Sequence, residues 1–125
     1  MKWFDLISKD IIKATINNDL ELVKKLSQTM NIDFKNKDGK SALFYACMNG
    51  NIDICKFLIH KGAKIDTRDD RNLMPIHYAL LTNKNEIINL LCEIGEFDLD
   101  IIKAEIENVE LEDKRVFLNF IKKIF

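Results

Sequence analysis

The side chains of this chain that could make or break bonds are two imidazoles, three thiols and a scatter of carboxylates. His60 and His77 stand at no metal-ligand spacing from a cysteine or from each other, so the pattern supports neither zinc coordination nor a Cys–His dyad. Cys47, Cys55 and Cys92 are odd in number, lack Cys-x-x-Cys spacing and sit in apolar stretches. That usage predicts buried free thiols in a reducing compartment rather than a disulfide framework, and a buried thiol titrates high and is a poor nucleophile. Asp69 with Asp70, and the run Glu105, Glu107, Glu110, Glu112 and Asp113, could supply paired carboxylates for acid and base work. Their polar surroundings predict solvated groups instead. Gly39, Gly50, Gly62 and Gly95 are isolated, with no Gly-x-Gly-x-x-Gly or Gly-Lys-Ser/Thr pattern to cradle a phosphate. The expectation is a chain that is not an enzyme and needs no cofactor and no metal.

The 125 residues suit one domain spanning 1–125, and 47% apolar with 31% charged residues allows a core beneath a solvated surface. The formal net charge of -1, with acids and bases interspersed, gives no general field for nucleic acid or anionic lipid. The opening ten residues interrupt their apolar positions with Asp5, Lys9 and Asp10 and show no secretory signal. No apolar run approaches the roughly 18 residues needed to cross a bilayer. A cytoplasmic protein is expected, with no membrane partner.

Self-similarity organises the rest. A shift of 33 places Tyr45 on Tyr78, Ala46 on Ala79, Ile54 on Ile87, Leu58 on Leu91 and Gly62 on Gly95. Within one copy, Ser41 can cap a short helix over 42–49 whose Leu43, Ala46 and Cys47 share a face, and Gly50 breaks it. A second helix follows over about 52–60, ended by Gly62 in left-handed geometry. The polar stretch that follows, with Asp66, Thr67, Arg68, Asp69, Asp70 and Asn72, predicts an extended, solvated loop. A pair of short helices cannot bury both apolar faces alone, so the copies must stack.

The segment Asn36-Lys37-Asp38-Gly39-Lys40-Ser41-Ala42-Leu43-Phe44-Tyr45-Ala46-Cys47, followed by Gly50 and by Gly62-Ala63, resembles the ankyrin repeat. The next copy carries Pro75 and His77 at the family's proline and histidine, with Asn72 in place of the turn glycine. The resemblance implies an all-α solenoid of stacked antiparallel helix pairs with finger loops: about three repeats plus a C-terminal helical cap. The repeats fall at about 8–34, 35–67 and 68–99, with a capping helix pair over 100–125. The first copy is looser and fits only with a one-residue shift, through Ala14, the turn Asn17-Asn18 and the helix from Asp19. After Gly95, Asp100 is placed to cap a helix to about Asn108, and a second helix is expected from Asp113 to Ile124. Trp3 and Phe4 are expected to pack over the exposed face of the first copy.

The resemblance also implies a role: binding a folded protein through the fingers and the concave wall of first helices. It gives His77 a hydrogen bond tying adjacent loops. The positions that the family leaves variable are Lys35, Lys37, Asp38, Lys40, Met48 and Asn49 in one copy, and Arg68, Asp70, Arg71, Leu73, Leu81 and Thr82 in the next. Five bases against two acids on the fingers point to a partner with an acidic surface. A monomer is expected; the second reading is a structural scaffold whose terminal face self-associates.

Overall fold

The computed structural model describes residues 11–108 together with 118, 119 and 122. Trp3, Phe4 and most of the expected helix over 113–124 lie outside the described residues. Helical backbone over 11–16, here α1, is followed by α2 (Leu20–Ser27), α3 (Ala42–Asn49), α4 (Ile52–His60), α5 (Pro75–Leu81), α6 (Asn85–Ile94) and α7 (Leu99–Glu107). Among the described residues there is no strand. The described residues form an all-α solenoid.

Local chemistry sets the helix boundaries. Asp19 starts α2 by accepting the N–H of Leu22, at 3.2 Å, and Pro75 occupies the first turn of α5, where its missing N–H costs nothing. Ser41 stands at the start of α3 in extended backbone, as expected, but its hydroxyl makes no cap hydrogen bond. At α7 the cap is Asp98 rather than Asp100, because the Asp98 carboxylate receives the N–H groups of Asp100 and Ile101 at 3.0 and 3.3 Å. The turns inside the three helix pairs pass through left-handed backbone at Asn18, Gly50 and Asn83. Gly95 ends α6 with extended backbone instead; a methyl group there would meet Phe97 Cε2 at 2.7 Å and Ile65 Cδ1 at 2.8 Å.

Packing arranges the helices in two rows. α3 lies on α5 and α5 on α7, while α2 lies on α4 and α4 on α6, and each pair closes through α3 on α4 and α5 on α6. The seam between the rows is one continuous core holding Leu43, Phe44, Ile54, Leu58, Ile76, Tyr78, Ile87 and Leu91, all essentially inaccessible. Each such aliphatic side chain contributes about 1.5–3 kcal/mol by leaving water. Phe44 and Tyr78 meet edge to face at 5.8 Å, which links the second pair to the third. α7 covers the third pair by burying Ile102.

Gly39 carries two demands at once. Its φ is +77°, and a Cβ would fall 2.6 Å from Asp70 Oδ1 and 2.8 Å from the Asp70 backbone nitrogen. Gly62, at φ +89°, has nothing within 4 Å. Gly62→Ala therefore costs about 1 kcal/mol of left-handed strain, whereas Gly39→Ala costs about 2–4 kcal/mol because the neighbouring finger must also move. Urea unfolding of the two variants separates the effects; equal losses would show that the fingers are not in close register.

Candidate protein-binding surface

Two fingers project between the helix pairs, and the same device shapes both. In the first, the Asn36 side-chain oxygen accepts the N–H groups of Asp38 and Lys40 at 3.0 and 3.1 Å, and its amide donates to the Tyr45 hydroxyl at 2.7 Å. In the second, 33 residues on, one Asp69 oxygen accepts the N–H groups of Arg71 and Leu73, both at 3.0 Å, and the other accepts the Tyr78 hydroxyl. A short side chain that captures two backbone donors closes a turn without help from a sheet or helix. Burial pushes the Tyr45 hydroxyl above its ordinary range. Burial first, and then the hydrogen bond to Asp69, pushes Tyr78 up as well, so both phenols stay neutral, Tyr45 accepting from Asn36 and Tyr78 donating to Asp69.

The fingers are braced against each other. Lys40 Nζ lies 3.1 Å from Asp69 Oδ2, with both side chains buried, and sits 5.2 Å from the centroid of the Tyr78 ring. Asp70 donates its N–H to the Asp38 carbonyl at 3.2 Å, and Lys35 Nζ donates to the Arg68 carbonyl at 3.0 Å. Lower down, the N–H of Lys64 reaches Asp33 Oδ1 at 3.0 Å. On the far side, Arg68 Nη1 bridges the Asn72 carbonyl at 2.7 Å and Glu105 Oε2 of α7 at 3.0 Å.

This arrangement corrects part of the site expected from the sequence. Lys40, Met48 and Leu73 are buried and cannot face a partner: Lys40 is held by Asp69, and Met48 and Leu73 belong to the core. Asp69 is likewise no solvated loop carboxylate but the buried centre of its finger. Lys35, Lys37, Asp70 and Arg71 are exposed, and Asp38, Asn49, Arg68, Leu81 and Thr82 are half-buried around them. The wall of first helices contributes less than expected, since Ala42–Met48 is wholly buried. The structural carboxylate had a readable signal, because Asn36 and Asp69 keep the same 33-residue spacing as Tyr45 and Tyr78. Glu105 had none, as α7 carries no finger.

His77 acts within its own helix start rather than between loops. Its Nδ1 accepts the N–H of Met74 at 2.9 Å, so the proton of the neutral ring sits on Nε2, which points at Glu105 Oε2 from 3.7 Å and makes no hydrogen bond. Burial lowers its pKa, against the pull of Glu105. Cys47 and Cys55 face each other across α3 and α4 with their sulfurs 3.9 Å apart, and burial holds the Cys47 thiol well above its usual range. His60 is exposed at the end of α4. Among the described residues no group of three or more His, Cys, Asp or Glu is placed to hold a metal ion, and no helix is long and apolar enough to cross a membrane.

Stacked helix pairs in two rows with cross-braced fingers define a helical repeat solenoid. The pattern of ankyrin repeats, in three copies, matches residues 11–103, and the chain belongs to the ankyrin-repeat family. A putative ankyrin repeat protein of Borreliella burgdorferi is 31% identical over 129 residues, covering 91% of this chain and 58% of its own length. A putative ankyrin repeat protein of Acanthamoeba polyphaga mimivirus is 35% identical over 98 residues, covering 77% of this chain and 14% of itself. A tyrosine-protein kinase of Drosophila melanogaster, Shark, is 31% identical over 81 residues, 63% of this chain and 9% of the kinase. The chain thus spans a small part of the longer relatives and just over half of the Borreliella burgdorferi protein.

Two outcomes follow from the buried groups. Lys40→Met leaves Asp69 buried without its cation and costs about 3 kcal/mol, part of which returns in the Lys40→Met/Asp69→Asn double variant; chemical denaturation of the four species measures the coupling. His77 has a folded pKa below its ordinary 6.5, so below that pH the unfolded chain takes up a proton that the folded chain resists. Stability is therefore full above pH 6.5 and falls as the pH drops toward the folded value. His77→Gln keeps an acceptor for the Met74 N–H and flattens the dependence of Tm between about pH 7.5 and about pH 5.5, on either side of the ordinary imidazole value.

Proposed function

We propose that this chain is a non-catalytic binding module that holds a folded protein against its fingers, through Lys35, Lys37 and Arg71 with Asp38, Asp70 and Arg68 beside them. Ankyrin repeats are protein–protein interaction modules, and the reading for this chain adds the surface and its sign. The observation that carries it is a set of exposed bases on two fingers that are already cross-braced by Lys40–Asp69 and by the Asp70-to-Asp38 backbone bond. Such a surface presents charge without first having to order its loops, so little conformational entropy is lost on docking. Bases outnumber acids among the exposed finger residues, so the partner offers an acidic patch, with charge setting orientation and on-rate. The half-buried Leu81 and Thr82 at the end of α5, with Asn49 at the end of α3, supply the less polar flank of the contact.

Free thiols suit a reducing cytoplasm as the place of action. An inhibitor, an immunity protein and an effector would all use this surface, and the activity of the captured protein with and without the chain tells them apart.

The test is charge reversal on two exposed finger side chains. Lys37→Glu with Arg71→Glu weakens partner capture from lysate of the native cells by about tenfold or more. Lys37→Glu alone changes stability by no more than about 0.5 kcal/mol, since its side chain is exposed. Undiminished capture would move the binding surface elsewhere.

A further inference from the structure

Arg68 of the second finger and His77 of α5 both turn toward one oxygen of α7. Glu105 Oε2 lies 3.0 Å from Arg68 Nη1 and 3.7 Å from His77 Nε2. The fit is one-sided: the guanidinium makes a hydrogen bond, whereas the buried imidazole Nε2–H makes none among the described residues. A buried donor without an acceptor is costly, so a carboxylate seated slightly deeper would suit this corner better than Glu105 does. Both donors are held in place by groups other than Glu105. Arg68 Nη1 also donates to the Asn72 carbonyl at 2.7 Å, and the Arg68 carbonyl accepts Lys35 Nζ at 3.0 Å. The His77 ring is fixed by the Met74 N–H on its Nδ1 and is 0% exposed. Glu105 itself is lightly held. Its side chain is 32% exposed and that of Arg68 36%, and an ion pair so open to water contributes little to stability. Solvent thus reaches the mouth of the corner, and its floor is a buried, unused donor.

We propose that the corner between Arg68 and His77 is a carboxylate-binding site that Glu105 fills from within the chain, and that an acidic side chain of a protein partner replaces it there. The site deepens the acidic-partner reading of the fingers, on which it rests, by adding a defined seat and a built-in competitor. The donors set the occupant's chemistry: a guanidinium and a neutral imidazole N–H offer hydrogen bonds and one positive charge, which match a carboxylate and reject a cation. Exchange leaves the packing of α7 alone, because Ile102 stays buried while the Glu105 side chain swings into water. A partner must displace Glu105, so the chain binds more weakly than its donors allow, and a ligand that also engages the finger bases wins the seat.

NMR titration with a polyglutamate peptide capped at both termini tests this, because only side-chain carboxylates are then on offer. Glu105→Gln, isosteric and uncharged, binds the peptide about fivefold more tightly than the parent. Arg68→Gln removes that gain yet changes the parent's own affinity little, since Glu105 already occupies Arg68 there; the four proteins form a double-mutant cycle. Asp100→Asn, which deletes an equal charge at the exposed start of α7, gives no comparable gain. His77 supplies a local readout. Among the described residues the charged groups near its ring are Glu105, Arg68 and Asp69, of which Glu105 raises its pKa and Arg68 lowers it. The imidazole therefore titrates lower in Glu105→Gln, and bound peptide moves it back up by restoring a carboxylate beside Nε2. A Glu105→Gln protein that binds no tighter than the parent, or not at all, would overturn the proposal. So would a gain that survives Arg68→Gln, or a His77 titration that ignores the peptide. The Lys37→Glu/Arg71→Glu finger variant weakens binding in both backgrounds and leaves the ratio between them unchanged; if it weakens neither, the finger surface fails while the seat stands.

Discussion

One buried carboxylate organises the middle of this molecule. Asp69 uses one oxygen to close its own finger on the N–H groups of Arg71 and Leu73, and the other to receive Tyr78 from α5 and the ammonium of Lys40 from the finger before it. Removing a carboxylate from water is expensive unless nearly all its lone pairs find donors, and here four donors converge on it. Finger shape, helix placement and repeat-to-repeat register therefore meet at a single group. Asn36 performs the local half of this task in the preceding finger, but a neutral amide has no charge to recruit a cation from a neighbour. The stack gains its strongest polar link where a copy bears Asp instead of Asn.

The two helix starts show how a repeat motif can be divided between copies. The second copy has the hydroxyl, Ser41, but Phe44 where the third has His77; the third has the imidazole but Met74 where the second has Ser41. In consequence the Ser41 hydroxyl and His77 Nε2 are both buried without a hydrogen-bond partner. Phe44 offsets part of that cost by packing its edge against Tyr78, and His77 offsets part by accepting the Met74 N–H. Packing in one copy and polar closure in the other reach the same backbone by different means.

Most of the architecture was legible because repeat periodicity and turn residues are local signals. The helices over 42–49 and 52–60 fall where Gly50 and Gly62 end them, and Asn72 adopts the left-handed geometry, at φ 63°, that its finger turn requires. The start of α7 was less legible, since Asp98 and Asp100 are equally good capping residues and only the fold chooses between them. The polar cluster of Arg68, Glu105 and His77 was not legible at all. It depends on α7 crossing the third pair, and no sequence spacing announces contacts between residues 37 apart, as Arg68 and Glu105 are.

The candidate surface was harder to read than the scaffold, and positions 40 and 73 show why. Lys40 and Leu73 share one place in the repeat and differ in chemistry, which from sequence reads as a position free of structural duty. Both are 5% exposed or less. Each is matched to a different environment, because the finger of the second copy has another finger to pair with and that of the third is followed by α7. In a solenoid the copies are alike but their neighbours are not, so variation between copies records neighbour fitting as well as partner binding. Exposure, rather than variability, has to select the binding residues, and it favours Lys37 and Arg71 over Lys40 even though all three stood equal in the sequence.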